Sequence, residues 1–165
     1  LVHRLNFYTP QELETIIANA AKKLKVKVDK ESIREIAKRA RGTPRVALKL
    51  LKRARDYAQV KAGGDIDKVN IAQALDLLGV DPFGLDTLDR RYLKNIIEKH
   101  GGGPVGVETI AASISEDVGT VEEVVEPYLL QLGFIKRTKS GRVATKGAFE
   151  HLGKKFTKEN QQKLL

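Results

Sequence analysis

The sequence predicts a mainly α chain in two parts, a four-helix bundle followed by a smaller helical unit that ends in a β-hairpin. Three observations predict it. Apolar residues recur at helical spacing in four successive segments before residue 80, which buries one face of each. Gly79, Pro82 and Gly84 then punctuate the chain, as at a boundary between units. Near the end, FIKRTKSGRVAT alternates apolar and polar residues around Ser140-Gly141, the pattern of two strands joined by a tight turn.

In the first segment, TPQELETIIANAAKKLK, Thr9 is placed to cap a helix, Pro10 to begin it and Glu12 to close a capping box. Leu13, Ile16, Ile17, Ala20 and Leu24 form its inner face. A second helix opens at Asp29, turns Ile33, Ile36, Ala37 and Ala40 inward, and stops at Gly42. Thr43 and Pro44 start a third, with Val46, Ala47, Leu50, Leu51 and Ala54 inside. Gly63-Gly64 break the chain, and Asp67 opens a fourth through Ala72, Leu75 and Leu78. Asp86 caps a fifth helix carrying Leu88, Leu93, Ile96 and Ile97. GGGPVG then leads through Val105 and Val107, an edge strand, into ETIAASIS. TVEEVVEPYLLQLG is the next helix, and Pro127 is expected to kink it. Helix, strand, helix, helix, hairpin is the order of a winged-helix domain. The expected boundaries are 1–80, 81–153 and a tail, 154–165, that is a frayed helix or disordered.

The net charge is +9 over 165 residues, a surplus that favours a polyanionic partner. Apolar runs are too short to span a bilayer, and Lys and Arg interrupt the N-terminal stretch where a signal peptide would lie. Without cysteine there is no disulfide, thiol nucleophile or thiolate-held zinc, which fits a reducing, cytoplasmic setting. The chain has no methionine and starts abruptly, so it reads as a piece of something larger. His3, His100 and His151 lack metal spacing, and no residue is assigned a catalytic or metal-binding role. GGGPVGVET lacks the Lys and Ser/Thr that a phosphate-binding loop needs after its last glycine, so its glycines are read as a turn.

Two basic stretches carry the functional reading. In RARGTPRVALKLLKRAR, Arg45 stands in a helical first turn, where the dipole disfavours a cation. Either it is solvated or pairs with Glu35, or it waits there for an anion, which free N–H groups and a guanidinium would bind together. Lys49, Lys52, Arg53 and Arg55 form an outer solvated face or a nucleic-acid contact. The hairpin carries Lys136, Arg137, Lys139 and Arg142 without an acid, whereas the preceding helix carries Glu122, Glu123 and Glu126. Carboxylates facing phosphate would repel it, so DNA contact is expected from the hairpin, to backbone and not base edges. The other reading of the hairpin is purely structural.

RLNFYTP, EIAKRARGTPRVALKLLKRARDYAQVK, GLDTLDRRYL, GGGPVGVETIAASISED and VEPYLLQLGFIKRTKSGRVAT together resemble the C-terminal two-thirds of the RuvB family, over residues 1 to 153. The resemblance implies an AAA+ helical lid followed by a winged-helix DNA-binding domain, without the ATPase core. It implies the C-terminal part of an ATP-dependent DNA helicase subunit that drives Holliday junction branch migration in recombination and repair. Arg45 matches the sensor arginine that reaches the terminal phosphate of ATP or ADP, and Tyr8 the residue near adenine. Arg137 and Arg142 match the DNA-contacting arginines of the wing. Mg²⁺ and the phosphate loop belong to the absent core, so the chain is not expected to turn over ATP alone. Implied partners are Holliday junction or duplex DNA, further copies in a homohexamer, RuvA docked on the missing ATPase domain, and RuvC in the resolving complex. Where the family's wing reads R-T-P-R-G-R, Lys139 replaces the proline and Ser140 an arginine. The alternatives are a free-standing winged-helix regulator with a helical dimerisation domain, or a protein-interaction module whose glutamate face meets a basic partner.

Overall fold

The computed structural model describes residues 7–61 and 63–157. His3 and the end of the tail lie outside them. The chain divides into two compact units between Asp86 and Thr87.

The first unit contains α1 (Pro10–Lys23), α2 (Lys30–Arg39), α3 (Pro44–Lys61) and α4 (Lys68–Leu77). α1 starts where the sequence predicts: the Thr9 side chain accepts from the Glu12 N–H, and the Glu12 carboxylate accepts from the Thr9 N–H at 2.8 Å. Leu13 and Ile17 of α1, Ile36 of α2, Leu50 and Leu51 of α3, and Ile71 and Leu75 of α4 fill the core. Each such side chain contributes about 1.5–3 kcal/mol. The inner face of α4 differs from the expected one. Ile71, Ala74 and Leu75 are buried, while Ala72 and Leu78 are exposed. A helix of ten residues leaves the phase of its apolar face ambiguous, and packing on α3 chose the other one.

Asp29 does more than start α2. One carboxylate oxygen accepts from the Ser32 N–H at 2.6 Å, and the other from the Lys68 N–H at the first turn of α4. Beside it, Val28 and Ile66 form a parallel bridge. The segment after α4 stays with this unit. Arg39 donates to the Val80 carbonyl and Arg41 to the Gly84 carbonyl at 2.8 Å. Gly84, at φ +78°, leaves no room for a Cβ, which would lie 2.8 Å from the Arg39 carbonyl oxygen.

In the second unit α5 (Thr87–Lys94) runs into a π-helical turn, Asn95–Lys99. The extra residue per turn rotates the face, so Asn95, Ile96 and Ile97 are buried in succession. α6 (Val107–Ile114), α7 (Val118–Thr120), a second π-helical turn, Val121–Val125, and α8 (Glu126–Gln131) follow. Pro127 stands just after the π-helical turn, within helical winding that runs on from Val118 to Gln131, and its missing N–H falls where that winding changes.

β1 (Ile135–Thr138) and β2 (Gly141–Ala144) pair antiparallel, with Arg137 opposite Arg142 and Thr138 opposite Gly141. Val105 adds an antiparallel bridge to Arg142, the expected edge strand reduced to one residue. The glycines before it close a turn: the Gly102 N–H donates to the Ile96 carbonyl and the Gly103 N–H to that of His100. α9 (Lys146–His151) follows. As far as Thr157 the tail is not helical but packs back, with Lys154 on Glu98 at 2.9 Å and Phe156 edge-on to Phe149.

Candidate nucleotide and nucleic-acid sites

In the first unit, Arg45 occupies the first turn of α3 and is exposed. Glu35, its alternative partner, pairs instead with Lys38 at 3.1 Å and Arg39 at 3.4 Å. Thr43 sits at the expected capping position, but its hydroxyl donates back to the Ala40 carbonyl. Among the described residues no side chain is bonded to the N–H groups of the first turn of α3, which holds no acid. Two further features bring Tyr8 to this helix start. Its N–H donates to the Gly42 carbonyl at 2.9 Å, and the Phe7 side chain packs where a Cβ on Gly42 would stand. The Tyr8 ring is about half exposed. From Arg45 a shallow concavity of about 510 Å³ follows α3, lined by Lys49, Lys52, Arg53 and Arg55, with Asp56 as its acid. Asp56 is taken up by Arg55 at 2.7 Å.

In the second unit the wing arginines are engaged within the protein. Directly paired across the hairpin, Arg137 and Arg142 would repel each other. The Glu126 carboxylate lies between them. Arg137 Nε and Nη2 reach its Oε2 at 2.8 and 2.6 Å. Arg142 Nε reaches its Oε1 at 2.8 Å, while Arg142 Nη2 reaches Glu122 at 2.6 Å. The Tyr92 hydroxyl also donates to Glu126 Oε1, at 2.8 Å. Glu126 is fully buried, as is Tyr92. Burial alone would push the Glu126 carboxyl up, but hydrogen bonds from Arg142, Tyr92 and Arg137 prevail and hold it below the ordinary range. Burial, then the charge and hydrogen bond of Glu126, push the Tyr92 phenol up.

This corrects the reading of α8 and the turn before it as an outward acidic face. Val121, Val125 and Leu129 face the core, and Glu126 turns inward with them. Only Glu123 of the three glutamates is both exposed and outside this cluster. Sequence reasoning missed Glu126 and Tyr92. The signal was present, since Glu126 directly follows Val125 on the apolar stripe and two arginines lie just beyond. Two arginines and two glutamates leave the cluster formally neutral. Lys136 and Lys139 are exposed and meet no acid among the described residues. The same residues contain no group of His, Cys, Asp or Glu able to hold a metal ion. None of their helices is long and apolar enough to cross a membrane.

A four-helix bundle followed by a winged helix with a basic hairpin is the arrangement of an AAA+ lid joined in sequence to a winged-helix domain. Residues 8–81 match the RuvB AAA lid domain and residues 82–153 the RuvB C-terminal winged helix domain. The chain therefore belongs to the RuvB family. The structure is similar to the Thermotoga maritima RuvB Holliday junction branch migration motor, at 44% identity and a TM-score of 0.88, over 93% of this chain and 51% of that one. A point mutant of the same T. maritima protein matches at 44% identity and a TM-score of 0.89, over the same shares of the two chains. This chain thus spans about half the length of the solved structures it matches. Both matched domains together set aside a free-standing regulator with a dimerisation bundle.

Proposed function

We propose that the chain is the lid and DNA-gripping portion of an ATP-driven motor that moves Holliday junctions. Arg45 senses the terminal phosphate of ATP or ADP, Tyr8 lies against the adenine, and the wing holds duplex backbone through Arg137 and Arg142 with Lys136 and Lys139. The observation that supports the sensor role is the exposed Arg45, in a helix start that among the described residues has no side-chain cap and no acid in its first turn. A guanidinium and free N–H groups there suit a phosphate held by another domain. When that phosphate leaves, the bonds are lost and the lid is released to swing. The ATPase core, Mg²⁺, the homohexamer, RuvA, RuvC and a cytoplasmic setting belong to the same reading.

Two measurements test it. In the chain joined to a nucleotide-binding core, Arg45→Ala should abolish most ATP-driven junction movement while leaving helix content unchanged; wild-type turnover removes the sensor. For the wing, Arg137→Ala with Lys139→Ala should weaken duplex binding alike on unrelated sequences. It should also flatten the slope of log K against log salt by about 2. An unchanged slope moves the contact elsewhere.

A further inference from the structure

The wing arginines lie opposite each other on adjacent strands, and a single buried carboxylate receives both. That carboxylate has a third bond, from a phenol that is itself fully buried. We propose that Glu126, aligned by Tyr92, is the positioning residue that holds Arg137 and Arg142 ready for DNA phosphates. The inference rests on the wing reading above.

Each guanidinium gives its Nε edge and Nη2 to carboxylates, which leaves Nη1 outside these bonds. A planar guanidinium fixed along its Nε edge has its remaining N–H groups fixed in direction as well. Arg137 is half exposed, so its free edge reaches solvent, whereas Arg142 is 16% exposed and presents only a narrow edge. Ordering two long side chains before DNA arrives removes a cost that binding would otherwise bear. Glu126 also relieves the repulsion between the two cations, which would splay the hairpin tip. The grip therefore depends on an acid that touches no DNA.

This gives an unusual sign. Glu126→Gln adds one unit of positive charge beside a polyanion, and simple electrostatics would tighten binding. Positioning requires the opposite. For the full 165-residue chain and a fluorescent duplex of arbitrary sequence, anisotropy should show Glu126→Gln binding about three- to tenfold more weakly. Its salt slope should be shallower by about 1 to 2, as arginines that wander no longer displace counterions. Glu126→Asp keeps the charge but is too short to reach both arginines, and it should weaken binding as well. A purely structural role would lower the unfolding temperature and leave the slope where it was, which would overturn the inference. So would tighter binding by Glu126→Gln. Tyr92→Phe keeps the buried ring and the Glu126 charge, and carries the test if the Glu126 variants do not fold. It should bind about twofold more weakly, and wild-type affinity would overturn the inference. If the wild-type salt slope does not respond to Arg137→Ala with Lys139→Ala, the wing reading itself fails. If it responds and Glu126→Gln does not weaken binding, only the positioning role falls.

Discussion

Arg142→Ala separates the two arginines of the wing by stability. Arg142 supplies Glu126 with a bond at 2.8 Å and a longer one at 3.4 Å, and Glu122 with one at 2.6 Å. Glu122 is 42% exposed, so water replaces what it loses. Glu126 has no such recourse, since it is fully buried. Removing every partner from a buried charge costs about 3–5 kcal/mol. Arg137 and Tyr92 remain, which places the expected loss at the lower end, about 3 kcal/mol. Arg137→Ala should cost about 1 kcal/mol, because nearly half of that side chain already faces water. Hydrogen exchange across 121–144 reads this unit by itself, and about 3 kcal/mol corresponds to roughly a hundredfold faster exchange at neutral pH.

The deficit should also depend on pH. In the wild type the Glu126 carboxyl lies below its unfolded value. Its contribution is therefore fully present above that unfolded value, about 4.3, and is lost as pH falls through the folded one. Without Arg142 the folded value rises, and protonation relieves the stranded charge. The gap between variant and wild type should narrow as the solution is acidified below about pH 5. A loss under about 1 kcal/mol, or a gap constant with pH, would refute the account of a buried carboxylate dependent on Arg142.

Gly141→Ala should destabilise the wing by about 2–4 kcal/mol in urea unfolding, because φ is +132° and a Cβ would stand 2.5 Å from the Val105 carbonyl oxygen. A neutral result would mean that the bridge to Val105 is dispensable. Asp29→Ala should cost about 1–2 kcal/mol in thermal unfolding of the first unit, since it uncaps α2 and also takes the acceptor from the Lys68 N–H at the start of α4. The Ser32 N–H is the main cause that holds the Asp29 carboxyl below its ordinary value. The penalty should therefore be full above about pH 3.9 and fade as pH falls further.

Helix starts were the most legible part of the sequence. Thr9 with Glu12, Asp29 and Asp67 all cap as their spacing indicates, because a cap is a local bond between neighbours in the chain. The hairpin was legible for the same reason, but its turn is displaced by one residue: Lys139 and Ser140 form it, and Gly141 already pairs with Thr138 as the first residue of β2. Thr43 shows the limit: its hydroxyl had a competing acceptor, Ala40, that only the folded α2 terminus supplies. α4 took the other phase because short amphipathic segments are settled by their neighbours. Glu126 was misread for a more general reason. Charge on a helix predicts exposure only while no partner of opposite sign can be folded over it. Tyr92 is 34 residues away and Arg142 is 16, so the partners stand on other elements and only the fold brings them to Glu126.

The shared carboxylate of Asp29 has a mechanical consequence. Two helices that are not consecutive are tied at their first turns to one side chain, so neither can tilt without pulling at the origin of the other. A bundle laced in this way is stiff in bending, and a push delivered at one face emerges at another with little of it absorbed between. If the proposed sensor role holds, such stiffness would pass the loss of a phosphate on as displacement instead of absorbing it.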